Sequence, residues 1–144
     1  MGKIKTFFLV LWQLPQYIIG LLILIIVRPV KRQTTLIIHG KQITVTWWQS
    51  RPGQFINSYS GGILITAGDT EKHIRHKYGH CCQSRYLGPF FVSIIGFASV
   101  ILTHIPHRTL HRNWPQARRY QWYYEQWSEA WADRLGGVKR WFHT

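Results

Sequence analysis

Residues 70–89 read TEKHIRHKYGHCCQSRYLGP, and the rest of the chain is best read outward from them. Asp69 or Thr70 supplies an N-cap, and the spacing predicts a helix that runs to about Tyr86. On a helix, positions i and i+4 lie on one face about a turn apart. His76 and His80 therefore stand side by side and can both reach one Zn²⁺. The spacing alone is a weak signal, because the chain has eight histidines and contains a second such pair, His107 and His111. His73 lies on the same side, but it sits about 10.5 Å along the axis from His80, so sharing one ion would be strained. Gly79, inside the motif, is read as a point of close helix packing.

The C-terminal segment strengthens the histidine pair. Asn113 reads as an N-cap with Pro115 in the first turn, and one helix is expected from there to the stop signal Gly136-Gly137. It carries Glu129 and Asp133, again four apart. The chain has only five carboxylates, and Glu125, Glu129 and Asp133 fall on one stripe of that helix. Glu129 can supply a third ligand, and Asp133 can accept a hydrogen bond from a ligating imidazole, as metal sites generally require. The competing reading is ordinary ion pairing with Arg118, Arg119 or Arg134. Tyr120, Tyr124, Trp127, Trp131 and Leu135 form a helical stripe, read as core or membrane-interface contact.

Ahead of the motif the pattern has period two. Thr34–His39 and Gln42–Trp48 are β-branched and aromatic, and Gly40-Lys41 separates them as a hairpin turn. Ser60-Gly61-Gly62 opens a third short strand, Ile63–Thr66. Two uncharged apolar blocks flank these elements. Phe7–Val27 (FFLVLWQLPQYIIGLLILIIV) has 21 residues, enough for a helix that spans a bilayer. Lys3 and Lys5 precede it; Arg28, Lys31 and Arg32 follow. The rival reading, a signal peptide, lacks an A-x-A cleavage pattern. Pro15 is expected to kink the block or divide it. Leu87–Thr103 is shorter and is expected not to cross, but to form a core helix or an interfacial hairpin broken at Gly96.

The formal charge is +13, with mean hydropathy −0.13. This excludes an acidic solvating protein and leaves partners that carry negative charge, a nucleic acid or a membrane with anionic lipid. A basic, non-enzymatic membrane protein that binds one of these is the alternative function. Dispersed basic residues and the uncharged anchor argue against nucleic acid. The adjacent Cys81 and Cys82 give no disulfide framework. Basic residues around the anchor place the bulk of the chain on the cytoplasmic side of an inner membrane.

The motifs HKYGHCCQSRYLGP (76–89) and SEAWADRLGG (128–137), with WQLPQ (12–16) and Gly61-Gly62, resemble those of small bacterial membrane proteins of gluzincin type. In that family H-E-x-x-H is followed on a later helix by E-x-x-A-D. The resemblance implies an α+β, zincin-like mini-domain over residues 33–144. A small antiparallel sheet, the motif helix, an apolar helix and a C-terminal helix would compose it, behind an N-terminal transmembrane helix in residues 1–32. It implies Zn²⁺ held by His76, His80 and Glu129, with Asp133 behind them, and a peptide or protein substrate that pairs with the strand ahead of the motif helix. One position departs from the family pattern. Lys77 stands where the glutamate acts as general base, which implies an inactive or repurposed relative, or an enzyme using another base such as Glu125.

Overall fold

The computed structural model describes residues 2–54, 56 and 58–141. Its central element is the motif helix, α3 (Glu71–Leu87). The cap is Thr70, whose hydroxyl accepts the backbone N–H of His73 at 3.3 Å. One side of α3 packs on the last helix, α6 (Trp127–Leu135). Two glycines permit that contact. A Cβ on Gly79 would land on the carbonyl oxygen of Ala132, and one on Gly136 would land on the carbonyl oxygen of Arg75. The two backbones touch because neither position has a side chain. Gly79→Ala is therefore expected to pry the helices apart, at about 1–3 kcal/mol or more. A thermal melt in detergent that matched the unmodified chain would contradict this.

The other side of α3 meets a four-stranded sheet. β1 (Val30–Ile38) and β2 (Lys41–Gln49) form an antiparallel hairpin in full register, Val30 opposite Gln49 and Ile38 opposite Lys41. The turn residues are His39 and Gly40, at φ 49° and 75°. The turn thus falls one residue earlier than Gly40-Lys41, because two consecutive left-handed residues suit the twist of a tight hairpin. β3 (Ser58–Ser60) and β4 (Leu64–Thr66) form a second, shorter hairpin. β4 also runs parallel to β2, through Trp48–Ile65 and Gln49–Thr66. The order is β1-β2-β4-β3. The sheet is therefore mixed rather than antiparallel, and the strand ahead of the motif helix lies inside it rather than at its edge. Its burial accounts for this placement: Leu64, Ile65 and Thr66 are all inaccessible. Successive residues of β4 serve opposite faces. Leu64 joins Leu36, Ile38, Val45, Trp47, Ile74 and Cys81 under α3. Ile63 and Ile65 join Ile23 and Val27 of the N-terminal helices.

Residues 7–27 do not make one helix. α1 (Gly2–Trp12) and α2 (Leu14–Val27) meet at Gln13 with a bend of 81°. Pro15 sits in the first turn of α2, where its missing N–H costs nothing. At about 21 Å, α2 alone is shorter than a hydrocarbon core of about 30 Å. No single described helix is long and apolar enough to cross a membrane. After α3 the chain turns at Gly88–Phe90 and continues through wide π-helical turns, Val92–Gly96 and Ala98–His104, into α4 (Ile105–Arg108). This bend is 114° and lies ahead of Val92, not at the expected Gly96.

The C-terminal helix is also divided, into α5 (Gln116–Glu125) and α6, by an extended Gln126. Pro115, not Asn113, takes the N-cap position of α5. The break turns α6 onto the small-residue face of α3. Gly137, at φ 65°, ends it, and the Val138 N–H reaches the Asp133 carbonyl.

Candidate metal centre

The crossing of α3 and α6 brings together three side chains that are far apart in sequence. His76 and His80 project from α3 towards Glu129 in the first turn of α6, and all three are buried. One carboxylate oxygen, Oε2 of Glu129, lies 3.1 Å from Nε2 of His76 and 3.2 Å from Nε2 of His80. The three ligand atoms lie within 4.8 Å of one another, so the group could hold a metal ion.

The hydrogen bonds behind the imidazoles decide which ring nitrogens carry protons. Nδ1 of His76 is 2.6 Å from Oδ1 of Asp133, and a carboxylate accepts, so Nδ1 donates. Nδ1 of His80 is 2.7 Å from Oε1 of Gln83. The Gln83 amide is oriented in turn, since its Nε2 donates to the carbonyl of Ser128 at 2.7 Å. Its oxygen must therefore face His80, and His80 must donate. In its neutral form each ring then turns a bare Nε2 lone pair inward, onto a carboxylate oxygen that is also an acceptor. Three acceptors converging in a buried space are satisfied by a proton on one ring or by a metal ion between them.

The spacing suits a metal ion. Ligands about 2.0–2.1 Å from a tetrahedral Zn²⁺ lie about 3.3 Å apart, close to the two separations above. Burial alone would raise the pKa of Glu129. Where they are protonated, the imidazoles of His76 and His80 donate through Nε2–H, outweigh it and hold the carboxyl well below the usual range. Burial lowers the pKa of His80 and keeps it neutral, the form that binds metal.

Further contacts secure the site. Ser99 donates to Oε1 of Glu129 at 3.2 Å, from the wide turns after α3. Arg140 grips Asp133 with both ends of its guanidinium, Nε to Oδ2 at 2.5 Å and Nη2 to Oδ1 at 3.0 Å. The same guanidinium lies 3.3 Å over the ring of Tyr124, which meets His76 edge-on at 5.4 Å. Burial tends to raise the pKa of Asp133, but its bonds to His76 and Arg140 prevail and lower it.

Lys77 is half-buried. Burial lowers its pKa, while attraction to Glu129 opposes the shift, so its amine lies within electrostatic reach of the site. Glu125 is exposed on α5 and accepts from Gln121 at 2.9 Å, so the break at Gln126 separates it from Glu129 and Asp133. His73 bonds the hydroxyl of Thr66 at 2.8 Å and stands outside the group. From the aromatic stripe, Tyr124 meets His76. Sequence reasoning missed Gln83, Ser99 and Arg140. Gln83 was within reach of it, standing three residues after His80 on the same helix face. Ser99 is one polar residue in an apolar block, and Arg140 lies beyond the helix stop. No family model, curated protein or solved structure matches the chain.

Proposed function

We propose that the chain is a membrane-attached zinc-binding protein built on the gluzincin metallopeptidase plan, with ordinary peptidase turnover disabled at Lys77. The observation that carries the metal is the pair of outward-donating imidazoles, which leaves two Nε2 lone pairs and a carboxylate oxygen facing one point. Two imidazoles and one carboxylate form a borderline donor set that suits Zn²⁺. Bound there, zinc would supply a Lewis acid against a carbonyl. The chain's own residues hold the geometry. Asp133 and Gln83 orient the rings, Ser99 steadies the free oxygen of Glu129, and Arg140 fixes Asp133.

The motif resemblance supplies the peptide or protein substrate class. Where that plan needs a carboxylate to accept a proton from water, this chain has a lysine, which cannot accept one while it is cationic. Membrane attachment is assigned to residues 2–27, whose uncharged stretch carries exposed Phe7, Phe8, Ile18, Leu22, Ile25 and Ile26 between basic flanks.

Metal analysis of detergent-purified protein tests the reading. About one zinc per chain is expected, removable by a chelator and restored by zinc at neutral pH. Protein that neither retains nor takes up zinc would reject it.

A further inference from the structure

We propose that residues 90–105 form a second lipid-embedded limb beside residues 2–27, so that the chain lies in one face of a bilayer with its metal centre at the lipid surface. This rests on the membrane attachment assigned above to residues 2–27. What points to it is the outward face of the segment, which is broadly apolar. The inner face is mixed: Phe91 and Ile95 are buried with Ala98, 3% exposed, and Thr103, 1%, and Ser99 reaches in to Glu129. Those turned outward are large and apolar. Phe97 is 58% exposed, and Ile94, Val100, Ile101, Leu102 and Ile105 are exposed with it. α2 is alike: Gln16, Gly20, Ile23 and Val27 lie inside, and Leu21, Leu22, Ile25 and Ile26 lie outside. Water selects against so broad an apolar outer face. Hydrocarbon selects this one, because exposed apolar surface costs nothing there and a polar group must find its partner within the protein.

The two segments share one corner. Gln13, at the α1–α2 break, donates to Ser84 near the end of α3 at 2.6 Å. Gln16 donates to the carbonyl of Gly88, where α3 turns towards the second segment. Both glutamines are fully buried. A surface that carries one segment into lipid therefore carries the other. The ends of the second segment suit an interface with anionic headgroups. Arg85 lies ahead of it, and Arg108, Arg112, Arg118 and Arg119 come after. It cannot pass through the bilayer and leave His76 and His80 on one side with Glu129 on the other, since these meet within 3.2 Å. The limb therefore enters and leaves on one side. His80 lies eight residues before Gly88, about 12 Å along α3 from the corner, which sets the metal centre close above the lipid.

The test uses the full chain with Cys81→Ala and Cys82→Ser, its fold checked by circular dichroism, and one added cysteine at a time. Leu22→Cys, Phe97→Cys, Ile101→Cys and Thr109→Cys are labelled with an environment-sensitive dye and placed in phosphatidylcholine–phosphatidylglycerol vesicles. Positions 22, 97 and 101 are expected to be quenched by nitroxide lipids and protected from aqueous iodide, and position 109 the reverse. Quenching of 97 and 101 by iodide as strongly as 109 would overturn the limb. So would protection of both from either quencher, the mark of a protein partner or a second copy. Failure at 97 and 101 with success at 22 removes the limb and leaves the attachment; failure at 22 as well removes both. As a second measurement, Phe97→Lys/Ile101→Lys should weaken retention on the vesicles about tenfold or more, because charge in the hydrocarbon is costly. Unchanged retention would also count against the limb.

Discussion

His80→Ala is expected to abolish the zinc binding proposed for this centre. Removing one of three ligands leaves His76 and Glu129, and two protein ligands do not make the closed or nearly closed coordination that zinc sites show. The expected result is loss of stoichiometric zinc after gel filtration, with far-ultraviolet circular dichroism unchanged. Asp133→Asn separates orientation from ligation. The asparagine can still accept from Nδ1 of His76 through its carbonyl, but it loses the negative charge and one arm of the Arg140 grip. Affinity should fall about 10–100-fold without vanishing. Binding should also weaken as pH falls, because protons compete for the Nε2 lone pairs. Burial depresses the pKa of His80, so that ring stays neutral, and competent, below the ordinary histidine value of about 6.5. Zinc titrations of the three proteins between neutral and mildly acidic pH check all of this. Full zinc content in His80→Ala would remove His80 from the ligand set.

Lys77→Glu creates the carboxylate that the motif lacks, and peptidase activity is expected to appear with it. A positioned general base contributes about 10²–10⁴-fold in rate, so the gain should be visible on an unfolded protein such as casein and should vanish with a chelator. Lys77→Gln, which removes the cation without adding a base, is the control and should stay inactive. The exposed Glu125, bonded to Gln121, provides a second control: Glu125→Gln should change neither protein. Strong zinc-dependent cleavage by the unmodified chain would show that another group serves as base. Loss of that cleavage in Glu125→Gln would identify the group.

The sequence by itself determined whatever depends on local spacing. A period of 3.6 residues put His76 and His80 on one face of a helix, and a cap and a glycine stop bounded it. Period two located the β1–β2 hairpin, and the four-residue spacing of Glu129 and Asp133 survived because both lie within α6. Reading failed wherever a distant surface chose between local alternatives. The turn moved to His39-Gly40 because the twist of the paired strands required it. β4 became an interior strand because both its faces are buried, by α3 and by α2, which three residues of sequence cannot announce. The C-terminal pattern is helical on both sides of Gln126, yet the chain breaks there to lay Ala132 on Gly79 and Gly136 on the backbone of Arg75. Likewise, one apolar stretch became two helices at 81°, its corner held by Gln13 and Gln16 against Ser84 and Gly88. The proton positions on the two imidazoles belong wholly to the tertiary structure. They follow from Gln83 facing the carbonyl of Ser128 and from Asp133 held by Arg140, contacts between elements 45 and 7 residues apart that only the packing of α3 on α6 and the return of the C-terminal tail could bring together.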